Sequence, residues 1–72
     1  LGSYPLFAIR NQQWKFIQTF DSQNIDSLIF EELYDLENDP FEMMNLSGNE
    51  EFIEKCDSFE TRLNQYRKEY QN

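Results

Sequence analysis

Apolar residues recur at every second position in the first half of the chain and at helical spacing in the second, and this switch predicts the order of elements. Residues 4–10 (YPLFAIR) form a short apolar run bounded by polar residues, which reads as a strand. Pro5 cannot donate to a ladder, so it belongs at the strand's start or on an edge. Residues 14–20 (WKFIQTF) alternate: Trp14, Phe16 and Phe20 share one face with Gln18, and Lys15, Ile17 and Thr19 share the other. That is the pattern of a half-buried strand, and with Asn11-Gln12-Gln13 as the turn the two runs make a hairpin.

The polar stretch 21–27 (DSQNIDS) is turn-forming, and a third strand follows over 28–36. A regular strand there places Leu28, Phe30, Glu32, Tyr34 and Leu36 on one face and Ile29, Glu31, Leu33 and Asp35 on the other. Asp39-Pro40-Phe41-Glu42 then has the features of a helix start: a capping carboxylate, proline at the first helical position and a glutamate three residues after the cap. Ser47-Gly48-Asn49-Glu50 offers a second capping box. From residue 50 to about 70, Phe52, Cys56, Phe59, Leu63, Tyr66 and Tyr70 fall at steps of three and four, a single apolar stripe on a long helix. Glu50, Glu51 and Glu54 near its start and Arg67 and Lys68 near its end suit the helix dipole. The expected architecture is α+β, one small domain over 1–72: an antiparallel sheet of about three strands with one C-terminal amphipathic helix across one face.

Seventy-two residues bury little surface, so the domain is expected to be marginal and better settled against another surface. At 39% hydrophobic and rich in Phe and Tyr, the chain is nonetheless unlike a disordered one. A net charge of −8 argues against nucleic acid and against anionic membrane surfaces, both of which need a basic patch. No apolar run approaches the length of a membrane span. The absence of histidine removes Ser-His and Cys-His nucleophilic catalysis.

Several groups invite a functional reading. Asp35, Glu37, Asp39 and Glu42 begin like a calcium loop, but Pro40 stands where the sharp turn needs glycine and Leu46 where the bidentate glutamate belongs. The acids therefore read as a capped turn and no metal site is assigned. Glu31 and Glu32 point to opposite faces of a regular strand and cannot converge on a sugar as a glycosidase pair must. Cys56 lies on the apolar stripe and reads as a buried thiol, with no partner for an internal disulfide. The aromatic residues of the strands read mostly as core, with Trp14, beside a turn, the one also considered as a binding platform.

The segment ELYDLENDPFEMMNL (32–46) resembles the "ELYDLxxDPxExxNL" segment of sulfatases. Residues 8–17 (AIRNQQWKFI) look like the "aVRtxxyKyI" hairpin that precedes it, and Tyr4-Pro5 is similar to the "YPxRaiR" variant of glycan sulfatases. With the amphipathic helix, the resemblance spans nearly the whole chain from Tyr4. It implies the C-terminal subdomain of a parent with an alkaline-phosphatase-like catalytic domain, to which this segment would dock. That domain would hydrolyse sulfate esters, of a glycan in the variant that Tyr4-Pro5 resembles, with a formylglycine and a calcium ion. Neither group is expected in this segment, since Cys56 is followed by Asp57-Ser58-Phe59-Glu60 and not by x-Pro-x-Arg. The resemblance also implies a secreted, periplasmic or lysosomal parent. Arg10, Trp14 and Lys15 match the hairpin pattern and are the candidate substrate-binding residues; cations there suit a sulfated glycan. Phe7 departs from the arginine of the variant. Two other readings stand beside this one: a free-standing acidic interaction module, and a subdomain of a related phosphatase or phosphodiesterase. An unpaired sheet edge also leads to an expectation of self-association.

Overall fold

The computed structural model describes residues 4–71. Three strands, β1 (Leu6–Arg10), β2 (Trp14–Phe20) and β3 (Leu28–Asp35), form an antiparallel sheet in the order β1-β2-β3. A 3₁₀ turn (Glu50–Phe52) leads into one long helix, α1 (Ile53–Gln71). The expected α+β architecture is the one observed. The first strand begins at Leu6, yet the carbonyl of Pro5 still accepts from Phe20 N–H, so proline sits just before the strand as its missing donor requires.

The faces follow from the register. Leu6, Ala8 and Arg10 lie opposite Thr19, Ile17 and Lys15 on the outer face, while Phe7 and Ile9 lie opposite Gln18 and Phe16 on the helix face. The core is Trp14, Phe16 and Leu33 from the sheet against Cys56, Phe59 and Leu63 from α1, with Phe7, Ile9, Leu46 and Phe52 packed around it. Phe16 and Phe59 stack with ring centroids 5.8 Å apart. A register shift between Thr19 and Phe20 sets Leu28 opposite Phe20 and Phe30 opposite Thr19. Leu28 therefore leaves the face that a regular strand would share among Leu28, Phe30 and Tyr34, because a bulge advances one strand by one residue.

Three sequence expectations are corrected. No helix starts at Asp39. Its carboxylate instead accepts from the amides of Met43 and Met44, and Glu42 takes a left-handed φ of 55°, which stops helical propagation. The 3₁₀ turn that leads into the long helix is capped by Asn49, whose side chain accepts from Glu51 N–H, and Ser47 spends its hydroxyl on the Glu31 carbonyl. The apolar stripe holds from Phe52 through Leu63 and then fails, since Tyr66 is 53% exposed. Its place is taken by Arg67, whose guanidinium lies 4.0 Å from the Phe20 ring centroid and 5.5 Å from that of Phe7. The same guanidinium donates to the Ile25 carbonyl, which ties the 21–27 loop to α1. The side chain of Tyr70, the last residue of the expected stripe, lies outside the described residues.

Candidate functional site

The hairpin delivers the three candidate binding residues to two different places. Asn11 shapes the turn: its side-chain oxygen accepts from Gln13 N–H and Trp14 N–H, and its own amide donates to the Trp14 carbonyl. Directly beyond the turn, Arg10 and Lys15 face each other across the strands on the outer face. Arg10 is exposed, and among the described residues it has no ion-pair partner. Lys15 is engaged, its Nζ lying 2.9 Å from Glu42 Oε1. Trp14 turns the other way, into the core, where its ring meets Phe52 at 5.8 Å and the Lys55 ammonium sits 4.7 Å from its centroid. The structure thus joins Arg10 to Lys15 and separates both from Trp14, because adjacent residues in a strand point to opposite faces.

Next to this pair stands the turn carrying the LYDLENDP segment. Asp35 Oδ2 accepts from the side chain of Asn38 and Asp35 Oδ1 from the amides of Glu37 and Asn38, which holds its carboxyl below the usual carboxylate range. With Asp39 occupied by two further amides, Asp35 and Asp39 both cap backbone donors. Among the described residues no group of three or more His, Cys, Asp or Glu is placed to hold a metal ion. Asp35, Asn38, Asp39, Met43, Met44 and Leu46 line an open cavity of about 400 Å³. Around it Phe41, Met43 and Met44 are strongly exposed (84%, 83% and 65%). Sequence reasoning missed this apolar rim because it assigned the segment to a helix, whose periodicity would have turned part of it inward.

Asn45 has a structural role of its own. Its Oδ1 accepts from Leu33 N–H and Ser47 N–H, and its Nδ2 donates to the Glu31 carbonyl. Together with Leu46 N–H on the Leu33 carbonyl, these bonds seal the outer edge of β3.

Two buried polar features carry no catalytic geometry. Tyr34 donates its hydroxyl to Glu32, and that bond to a carboxylate pushes the phenol up to about 12. Gln18, 2% exposed, bridges sheet and helix by donating from Nε2 to Glu31 and Glu60, at 3.0 and 3.4 Å. Burial, and after it the neighbouring Glu31 carboxyl, raises the Glu60 carboxyl above its ordinary range. Burial likewise raises the Cys56 thiol, with Glu31, Asp57 and Glu60 adding to it. A thiol kept protonated among carboxylates is a poor nucleophile, so Cys56 is a core residue here. No helix is long and apolar enough to cross a membrane, among the described residues.

No curated protein and no solved structure matches the chain. A family model does match, that of "N-sulphoglucosamine sulphohydrolase, C-terminal", over residues 3–69. The match covers the hairpin, the Asp39 turn and nearly all of the helix, the elements on which the resemblance to sulfatases rested. By that coverage the chain belongs to the sulfatase family represented by the C-terminal domain of N-sulphoglucosamine sulphohydrolase.

Proposed function

We propose that this chain is the C-terminal subdomain of an enzyme that removes sulfate from a glycan, and that Arg10 reaches the rim of the substrate cleft from the hairpin. The family membership over residues 3–69 is the observation that supports the reading, and the family's name points to a sulfated amino sugar as the substrate class. The hydrolytic chemistry is assigned to the parent's catalytic domain, with its formylglycine and calcium. This segment has no histidine, its one thiol is buried, and of the acids in its LYDLENDP turn region Asp39 is taken up by backbone amides and Glu42 by an ion pair.

The segment's own contribution is positional. A planar guanidinium donates to two sulfate oxygens at once, and Arg10 is the hairpin cation left available for that role, since Lys15 is held by Glu42. Trp14 supports the strand end from the core, beneath Lys55 and beside Phe52. The exposed Phe41, Met43 and Met44, held on a turn that Asp39 makes rigid, suit a contact with the catalytic domain.

The test is Arg10→Gln in the parent enzyme, assayed on a sulfated oligosaccharide and on a small aryl sulfate. An exposed ion pair of about 0.5–1 kcal/mol translates into a KM for the oligosaccharide about two- to fivefold higher, with the aryl sulfate unaffected. An unchanged KM for the oligosaccharide overturns the role given to Arg10.

A further inference from the structure

Where the sheet meets α1, one buried amide faces two carboxyl groups. Gln18 and Glu31 are directly opposed in the register of β2 and β3, on the face that the helix covers. Glu60 reaches them from α1, and Gln18 Nε2 donates to Glu31 Oε2 at 3.0 Å and to Glu60 Oε2 at 3.4 Å. The two carboxyls are also in hydrogen-bonding contact with each other. Gln18 is 2% exposed, and its Oε1 has no donor among the described residues. Acceptor oxygens therefore outnumber donors: two carboxyls and an orphaned amide oxygen stand against the N–H bonds of a single Nε2. The surrounding charges do not supply the missing hydrogen. On α1 the near groups are Asp57 and the thiol of Cys56, and β1 turns Phe7 to this side. Arg67 is engaged with Ile25, Asn64 and Asp26 over the Phe20 ring, and Lys55 lies over Trp14 and Phe59. Among the described residues no cation lies within ion-pair distance of Glu31 or Glu60.

We propose that Glu31 and Glu60 hold one proton between them, and that this shared proton is an acid-dependent clasp closing α1 onto the sheet. Carried on either carboxyl, the proton forms an O–H that the other carboxylate accepts, a charge-assisted bond. It also removes one of two like charges from a partly buried place, and the pair then titrates as a unit. Gln18 remains free to give one N–H to each partner. When the proton leaves, two carboxylates face each other with one neutral amide between them, and the contact of β3 with α1 loosens. Burial, followed by Glu31, raises the Glu60 carboxyl above its ordinary range, the direction that a held proton requires. A group whose folded affinity for its proton is raised stabilises fully below its ordinary range and loses that effect as pH rises through the folded value. The clasp is therefore closed in acid and opens toward neutral pH. Glu60 stands one turn from both Cys56 and Leu63, so its release reaches the core. A divalent cation would also answer an excess of carboxyl oxygens, but no group of three or more acids is placed to hold one among the described residues. The inference is independent of the sulfatase reading.

The experiment follows the full-length protein that carries this segment by amide hydrogen exchange and mass spectrometry, from about pH 4 to about pH 8. Each rate is divided by the intrinsic rate at the same pH, so that only opening of the structure is read. Peptides covering β3 and the middle of α1 should open more as pH rises, by up to about tenfold per pH unit, the limit for release of one proton. Glu60→Gln and Glu31→Gln each set a permanent amide donor against the remaining carboxylate, so both should make the protection of these peptides independent of pH. A Glu60 that is merely buried would keep its pH dependence in Glu31→Gln, and that result overturns the sharing. Protection in the unaltered protein that does not change with pH overturns the clasp, and this measurement decides alone should either variant fail to fold. Added calcium that restores protection at neutral pH in the unaltered protein, but not in the variants, would also overturn the proposal by putting a cation in the proton's place.

Discussion

In an Asn45→Ala variant three hydrogen bonds disappear together, two accepted by Oδ1 from Leu33 and Ser47 and one donated by Nδ2 to the Glu31 carbonyl. Each such bond contributes a net of about 0.5–1.5 kcal/mol. Asn45 itself is exposed, so water re-solvates part of what is uncovered and the lower end of that range applies. The expected loss is about 1.5–3 kcal/mol, a large share of the roughly 3–5 kcal/mol that a core of this size supplies. Asn45→Asp separates the contributions. It keeps the acceptor for Leu33 and Ser47 and replaces the donor to Glu31 by a carboxylate, so its loss should fall between zero and that of the alanine variant. Urea unfolding followed by far-ultraviolet circular dichroism and by the fluorescence of buried Trp14 measures both, provided the two transitions coincide. The Leu33 amide should lose its exchange protection in Asn45→Ala and retain most of it in Asn45→Asp. An alanine variant within about 0.5 kcal/mol of the original would refute the view that this side chain closes the sheet.

Two further outcomes follow from the packing between sheet and helix. Because the folded state raises Glu60's affinity for its proton, the stability associated with this group is full below its ordinary carboxyl range and declines as pH rises through the folded value. Glu60→Gln should therefore be the more stable form at neutral pH, with an advantage that shrinks on acidification; an advantage independent of pH would contradict the shared environment of Glu31 and Glu60. Cys56 should react slowly with a thiol reagent in the native protein and rapidly in denaturant, since it is buried with a raised pKa; rapid native-state labelling would place the helix stripe on the wrong face.

What the sequence by itself determined are the features that depend on local period and on the chemistry of adjacent residues. The alternation of Trp14, Phe16 and Phe20 against Lys15, Ile17 and Thr19 identifies β2 and its two faces, with Gln18 drawn inside by its position. The three-and-four spacing of Phe52, Cys56, Phe59 and Leu63 identifies the helix and the side it buries. The order of hairpin, LYDL segment and helix was enough to identify the family resemblance. Only the tertiary structure decided where these local signals compete with long-range partners. Asp39-Pro40-Phe41-Glu42 has the capping chemistry of a helix, but Lys15 holds Glu42, Asp39 caps Met43 and Met44, and Asn45 is drawn to β3; a helical continuation could not make all three. Tyr66 continues the stripe by spacing, but the cover over Phe7 and Phe20 comes from the next residue, Arg67, which also reaches the Ile25 carbonyl forty-two positions earlier. The bulge that moves Leu28 away from Phe30 is likewise a matter of pairing between strands. Periodicity reports which side of an element is apolar; which groups finally meet there is set by hydrogen bonds and charges contributed from distant parts of the chain.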